Sequence, residues 1–589
     1  THNVAGSWLE QNTVTFEPTN GKIIFSGNTT TITTLADNNF YNLTVSGDPV
    51  TANSILNLDN DFEITAGEFV PGGFDHIVSG SWTETAGVFN PGGGKFTFNG
   101  NNGTITTLAG SSDNSFWELV ASGDPVIAGS ELDIDNNFSV TGGTFQSGTS
   151  DSHDVAGNWD DSGGTFQATD GTITLSGGTA NITTGNGNKF FALTIDGTAT
   201  TSTTEDVEVS DALTVSNGGT LNVIAGDRLV LSSTSASTVD NGGRLNVIAS
   251  LGGASANNAT ILASGTGLIT VDGILNLNGA GDGGANATGR AILEGGGANT
   301  LDLIFPSVSN TGQFIGDIFS IVNPVATGFA IASDAAHTMV NGHFTGCVST
   351  GTLLNLSSAS NLPDFIDSCS FNGVDNTDKN VTANANTNGV SGEGITFTNY
   401  GGTLAETADV SDPTKAERND VDNGDPGDKL YWFDGKWYSE INQSRNPNDL
   451  NRWHSQKTRS GINPANFTNA NDHFVVQSSN SSYTALAAGW DVAGDVTIEN
   501  GGTLDPGPGE IHVGGNTVIE NAGTLNFSGT GTYDSDGDFT VETGGVIDFD
   551  AAGILELADI EPILIGLPSD AGTVVYDLGG DQAIYDINY

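Results

Sequence analysis

The sequence predicts an all-β fold, a right-handed parallel β-helix or β-solenoid, from repetition at two scales and a strand-forming composition. His2-Asn3-Val4-Ala5-Gly6-Ser7-Trp8 returns as His76-Ile77-Val78-Ser79-Gly80-Ser81-Trp82 and again as His153-Asp154-Val155-Ala156-Gly157-Asn158-Trp159. Inside this long unit runs a shorter one. Thr65-Ala66-Gly67-Glu68-Phe69 recurs after twenty residues as Thr85-Ala86-Gly87-Val88-Phe89, and Thr141-Gly142-Gly143-Thr144-Phe145 recurs after twenty-one as Ser162-Gly163-Gly164-Thr165-Phe166. A module of this length buries its apolar face only against its neighbours, so the modules stack. The 589 residues include 82 Gly, and only 14% are charged, which suits short strands joined by tight turns.

The short beat justifies each region in turn. Positions 1–217 hold three super-repeats of about 75 residues each, long enough for several stacked modules. In them Phe40-Tyr41-Asn42-Leu43, Phe116-Trp117-Glu118-Leu119 and Phe190-Phe191-Ala192-Leu193 are equivalent. Positions 218–300 form shorter, Gly-rich coils, in which Gly218-Gly219-Thr220-Leu221-Asn222-Val223-Ile224 becomes Gly242-Gly243-Arg244-Leu245-Asn246-Val247-Ile248. Over 301–405 the coils lengthen, since Ser370-Phe371-Asn372 is matched next by Thr396-Phe397-Thr398. Coils of roughly 20–27 residues therefore cover the whole chain, within the span of solenoid repeats. Positions 406–490 break the beat with a charged stretch and Trp432, Trp437 and Trp453, as an insertion or a junction. From 491 to 589 the coils resume, marked by Gly502-Thr503-Leu504, Gly523-Thr524-Leu525 and Gly545-Val546-Ile547. Alternation such as Phe539-Thr540-Val541-Glu542 is the period of a half-buried strand. The competing fold is a string of small β-sandwich domains, one per super-repeat.

Charge excludes whole classes of partner. Seventy acidic residues against fifteen basic ones give a net charge of −55, and binding nucleic acid needs clustered Lys and Arg. No segment approaches the apolar length of a membrane span, so no membrane insertion is expected. Cys347 and Cys369 lie about one coil apart, which leaves a disulfide or two buried thiols as alternatives.

The stretch from Trp8 and Phe16 through Gly21-Lys22-Ile23-Ile24-Phe25-Ser26-Gly27 to Phe40-Tyr41-Asn42-Leu43-Thr44-Val45 resembles the tandem repeats of large secreted bacterial surface proteins, including type IX secretion cargo and gliding adhesins. Leu430-Tyr431-Trp432-Phe433-Asp434-Gly435-Lys436-Trp437, followed by Asn451-Arg452-Trp453, is similar to an element that precedes a further array in such proteins. The resemblance implies an extracellular or cell-surface protein. At both ends the repeat stops part-way through a unit, which is expected of either a window on a longer polypeptide or copies stacked head to tail.

Candidate chemistry is sparse. Asp420, Asp422, Asp425 and Asp428 alternate around a glycine turn, and Asp534, Asp536 and Asp538 make a shorter version, as oxygen-rich Ca2+ loops do. The bland reading is that Asp and Gly are simply turn formers. His2, His76 and His153 stand on separate units without a second ligand nearby, and are read as structural; Trp8, Trp82 and Trp159 are read as core. Trp437 and Trp453 are read as local core or, as the functional alternative, as exposed, sugar-stacking aromatics. No catalytic residues are assigned, because no carboxylate pair stands out from the turns. The expected function is a non-catalytic rod of a bacterial surface fibre, filament, sheath or giant adhesin stalk, whose partners are copies of itself or further repeats. A carbohydrate-binding adhesin on surface glycans is the alternative, and a polysaccharide lyase or hydrolase the third reading.

Overall fold

A computed structural model describes residues 1–576 except 12–15, 17–18, 37, 109–113, 150, 203–204, 251–256, 281–288, 297–300, 308–310, 347–350, 357–360, 373–378, 384–394, 399–429, 433–435, 440–445, 455–462, 471, 478–481, 485–488, 550, 559–562 and 565–571. The described residues form strands of two to five residues, all pairing in parallel except Trp453–His454, with a short 3-10 turn at Leu450–Arg452. They fall into two units: the described residues of 1–359 and 370–382, and those of 360–369, 383–398 and 430–576.

The first unit is a parallel β-solenoid with one strand per face on each of three faces. The first face is a 17-stranded ladder running from His2–Val4 through Lys22–Phe25, Asn42–Val45 and Phe62–Ile64 to Ser370–Asn372. The second face carries Trp8–Leu9 to Val88–Phe89 and then, after Phe116 bridges to Ile134, Asp133–Ile134 to Lys379–Thr382. The third runs from Asn39–Phe40 to Thr338–Val340. Every described strand of this unit pairs in parallel with one a coil away, which excludes the string of sandwiches.

Register follows the short beat residue for residue. Glu68 and Phe69 pair with Val88 and Phe89, and Thr144 and Phe145 with Thr165 and Phe166. Leu221, Asn222 and Val223 pair with Leu245, Asn246 and Val247, then with Leu275, Asn276 and Leu277. Leucines and valines point inward, while the asparagines chain along the other side: Asn246 Nδ2 donates to Asn222 Oδ1 at 2.8 Å and Asn276 Nδ2 to Asn246 Oδ1 at 3.3 Å. In the longer coils one pairing differs from expectation. Phe371 stacks on Phe344, and Phe397 pairs with Ile366, so the 370–372 and 395–398 segments belong to different ladders. The matching Phe371 and Phe397 are a coincidence of strand patterning.

Glycine marks one corner of the coil for a steric reason. A Cβ on Gly47 would lie 2.0 Å from the Gly27 carbonyl oxygen, and one on Gly67, which adopts φ +71°, 2.0 Å from that of Gly47. The coil below approaches too closely for any side chain, and the constraint recurs on successive coils.

The super-repeat and the coil are incommensurate. Four steps along the first face carry His2 through Ile23, Leu43 and Phe62 to Trp82. His76–Val78 sits one face before Trp82–Glu84, so a super-repeat is three and two-thirds coils. Equivalent residues therefore fall on different faces: Trp8 on the second, Trp82 on the first, Trp159 on the third.

In the second unit, Lys436–Ser439, His473–Val476, Asp495–Ile498, Thr517–Ile519 and Phe539–Val541 form one parallel ladder. Ser482–Thr484 to Val546–Asp548 form another, and Trp490–Val492 to Thr573–Tyr576 a third. Within 406–490, Leu430–Trp432 pairs in parallel with the preceding Ile395–Thr398, and Lys436–Ser439 joins the C-terminal coils. Trp453–His454 pairs antiparallel with the edge of that strand.

Candidate functional site

Among the buried polar groups of the first unit, two clasps recur. In the first, the carboxylate two residues after each repeat tryptophan turns inward. Trp8 Nε1 donates to Glu10 at 3.0 Å, Trp82 Nε1 to Glu84 at 2.9 Å and Trp159 Nε1 to Asp161 at 3.0 Å. The carboxylate then accepts from the next coil: Glu10 from Leu35 N and Asn38 Nδ2, Glu84 from Leu108 N, Asp161 from Gly185 N and Asn188 Nδ2. The asparagine closes the loop, since Asn38, Asn114 and Asn188 accept from the backbone N–H of Phe16, Phe89 and Phe166. Burial pushes the Glu84 carboxyl up to about 7 and raises that of Asp161, against the hydrogen bonds each accepts.

The second clasp is histidine. Leu56 N–H donates to His76 Nδ1 at 3.1 Å, which leaves Nε2–H to donate to Pro71 O at 2.9 Å. His153 repeats this with Leu132 N and Ser147 O, and His337 with Phe314 N and Ser333 O. Desolvation pushes His76 down to about 4 and lowers His153 and His337. A ring with both nitrogens engaged by backbone has none to offer a metal. His2, at the first strand, is exposed.

Neither the carboxylates nor the asparagines of the first clasp stand out in the sequence, although Trp-x-Glu/Asp and Asn-x-Phe recur in every super-repeat. Without its partner from another coil, each reads as a turn or surface residue. His337 is hidden because its surroundings share no wording with the other copies.

The two tryptophans that the sequence offers for sugar stacking are not on the surface. Trp437 is 5% exposed and Trp453 0%, both within the second unit's apolar core. Trp453 stacks on Trp490 at 5.1 Å, and its Nε1 donates to Pro447 O at 2.7 Å, so its ring faces are covered by protein. Asp420, Asp422, Asp425, Asp428 and Cys347 lie outside the described residues; Cys369 is buried.

The shorter acidic motif does not form one wrapping loop. Asp534 lies in the Thr532–Ser535 strand, pointing outward between buried Tyr533 and Ser535, and Asp536 follows on the turn. Asp538 sits apart, its N–H bonded to Asn516 Oδ1 at 2.9 Å. What meets Asp534 and Asp536 is His512 from the preceding coil, with one ligand atom of each within 4.8 Å of the others. His512 pairs in register with Asp491 on one side and Asp534 on the other, and Asp534 pairs with Glu556 beyond. His512 Nδ1 lies 2.8 Å from Asp491 Oδ1 and Nε2 lies 3.0 Å from Asp536 Oδ2. The hydrogen bond to Asp491 leads the effects that raise the imidazole's pKa above its ordinary value, against partial burial.

No helix among the described residues is long and apolar enough to cross a membrane. In comparisons with known proteins, no family model, no curated protein and no solved structure matches this chain.

Proposed function

We propose that the protein is a non-catalytic structural element of an extracellular bacterial surface assembly (a fibre, filament, sheath or adhesin stalk), with copies of itself or further coils as partners. The observation that carries this reading is the use of its buried polar chemistry. The recurring carboxylates, asparagines and histidines are spent tying one coil to the next, through bonds such as Asp161 to Gly185 and His153 to Leu132. Backbone ladders distribute tension over many hydrogen bonds, and a net charge of −55 keeps the surface solvated.

The rotation of the super-repeat favours this over a carbohydrate-binding adhesin. Each super-repeat turns its equivalents to another face, so repetition alone does not build a one-sided row of aromatics. The half-exposed Trp117, for instance, has its equivalents Tyr41 and Phe191 at strands of the other two faces. Electron microscopy of the purified chain, with glycan-array binding and assays for released reducing or unsaturated ends, separates the readings. Extended particles or filaments without glycan binding or cleavage are expected. Specific glycan capture, or new chain ends from an acidic polysaccharide, would overturn the proposal.

A further inference from the structure

The column Asp491–His512–Asp534–Glu556 puts an imidazole between carboxylates at strand spacing, about 4.8 Å. Like charges directly opposite each other in a sheet are unfavourable, and Asp534 faces Glu556 in register. The hydrogen-bond inventory adds a second constraint. A neutral imidazole carries one N–H, yet both nitrogens of His512 face carboxylate oxygens, at 2.8 and 3.0 Å. One nitrogen therefore directs a lone pair at an anion unless a second proton or a metal cation stands between them.

We propose that His512 Nε2, Asp534 and Asp536 form a surface site for a zinc-class divalent transition cation, with Asp491 accepting a hydrogen bond from Nδ1–H and orienting the ring. The donor set decides the class of ion. Imidazole with carboxylates suits Zn2+ and its neighbours, whereas Ca2+ takes six to eight oxygens. Zinc binds nitrogen and oxygen at about 2.0–2.2 Å, so donors already within 4.8 Å need only a small closure. Asp491 completes the carboxylate–histidine–metal arrangement that fixes the tautomer. The backbone beneath is firm: Ile511, Tyr533 and Leu555 are fully buried under the column, and Tyr533 OH bonds Thr517 Oγ1 at 3.1 Å. The site is independent of the proposed structural role.

Calorimetric titration of the full chain with ZnCl2 at pH 7.5, repeated with CaCl2 and on His512→Gln, Asp536→Asn and Asp491→Asn variants, tests this. A stoichiometric zinc event is expected that His512→Gln and Asp536→Asn weaken at least tenfold. Asp491→Asn should weaken it by roughly 10–100-fold, as loss of an orienting carboxylate does. Calcium should give no event that His512→Gln removes. His512 is on the surface, so the variant should keep the wild-type β-sheet circular dichroism. No zinc event in the wild-type chain, zinc binding unchanged in a folded His512→Gln chain, or a calcium event lost with the same substitution would overturn the assignment.

Discussion

Asp161 is the residue whose removal most directly tests whether inward carboxylates hold adjacent coils together. Its carboxylate accepts from Trp159 Nε1 at 3.0 Å, Gly185 N at 2.7 Å and Asn188 Nδ2 at 3.0 Å. Asp161→Ala leaves Trp159 Nε1 and Gly185 N without an acceptor in a site closed to water, whereas Asn188 Nδ2 keeps the backbone carbonyls of residue 161 and Gly164. Each stranded buried donor costs about 1–3 kcal/mol. Relief of the carboxylate's own desolvation, which raises its pKa, offsets part of that. The low end, about 2 kcal/mol, is the expectation, equivalent to roughly a thirtyfold rise in local opening. A solenoid transmits such a loss mainly to neighbouring coils, so amide hydrogen exchange read by mass spectrometry is the suitable assay. Protection should fall in Thr165–Gln167 and Lys189–Phe190, and remain unchanged in Glu510–Val513 of the second unit. Unchanged exchange around Asp161, or an equal rise along the whole chain, would refute this reasoning.

Titration gives a second handle. His76, lowered from 6.5 to about 4, contributes stability that is full above about 6.5 and lost as pH falls through 4. Glu84, raised from 4.5 to about 7, contributes stability that is full below about 4.5 and lost as pH rises through 7. The slopes oppose each other between these limits, at about 1.4 kcal/mol per pH unit each. His76→Gln should therefore become locally more stable toward acid and Glu84→Gln less stable, as read by exchange at matched intrinsic rates; parallel profiles would contradict both assignments. Gly47→Ala forces a Cβ to within 2.0 Å of Gly27 O, and should cost at least the roughly 1–3 kcal/mol of ordinary overpacking, seen as a lower melting temperature. Trp453→Ala should destabilise the second unit by about 3–5 kcal/mol in urea, as loss of a buried indole does, whereas a surface aromatic would leave the midpoint unmoved.

The solenoid is legible because its cause is local and repeated. Pairs such as Phe69 with Phe89 or Asn222 with Asn246 are the same residue type one coil apart, so aligning the sequence with itself reproduces the register. That signal weakens where coils lengthen: matching Phe371 with Phe397 misassigns two strands that stack on Phe344 and Ile366 instead. Side-chain chemistry is far less legible. Glu84 and Asp161 read as polar residues after a tryptophan, and only their partners from the next coil show that they point inward. His512 carries no motif at all; its link to Asp534 and Asp536 exists because the coil closes there with His512 in register with Asp534. Trp437 and Trp453 read as either core or exposed aromatics because the sequence around them has no beat, and their burial depends on Phe474 and Trp490 downstream.

Cross-linking along the second face probes the stacking itself. Thr174 and Thr194 pair in register on neighbouring coils, directed outward between the buried pairs Ile173–Leu193 and Leu175–Ile195. Adjacent strands place their Cα atoms about 5 Å apart, within disulfide reach. A Thr174→Cys/Thr194→Cys chain should form the 174–194 bridge in high yield on mild oxidation, with its melting temperature preserved. Failure of this pair to bridge in a folded chain, with Thr174→Cys joining a cysteine placed one register step away instead, would contradict the coil-on-coil pairing.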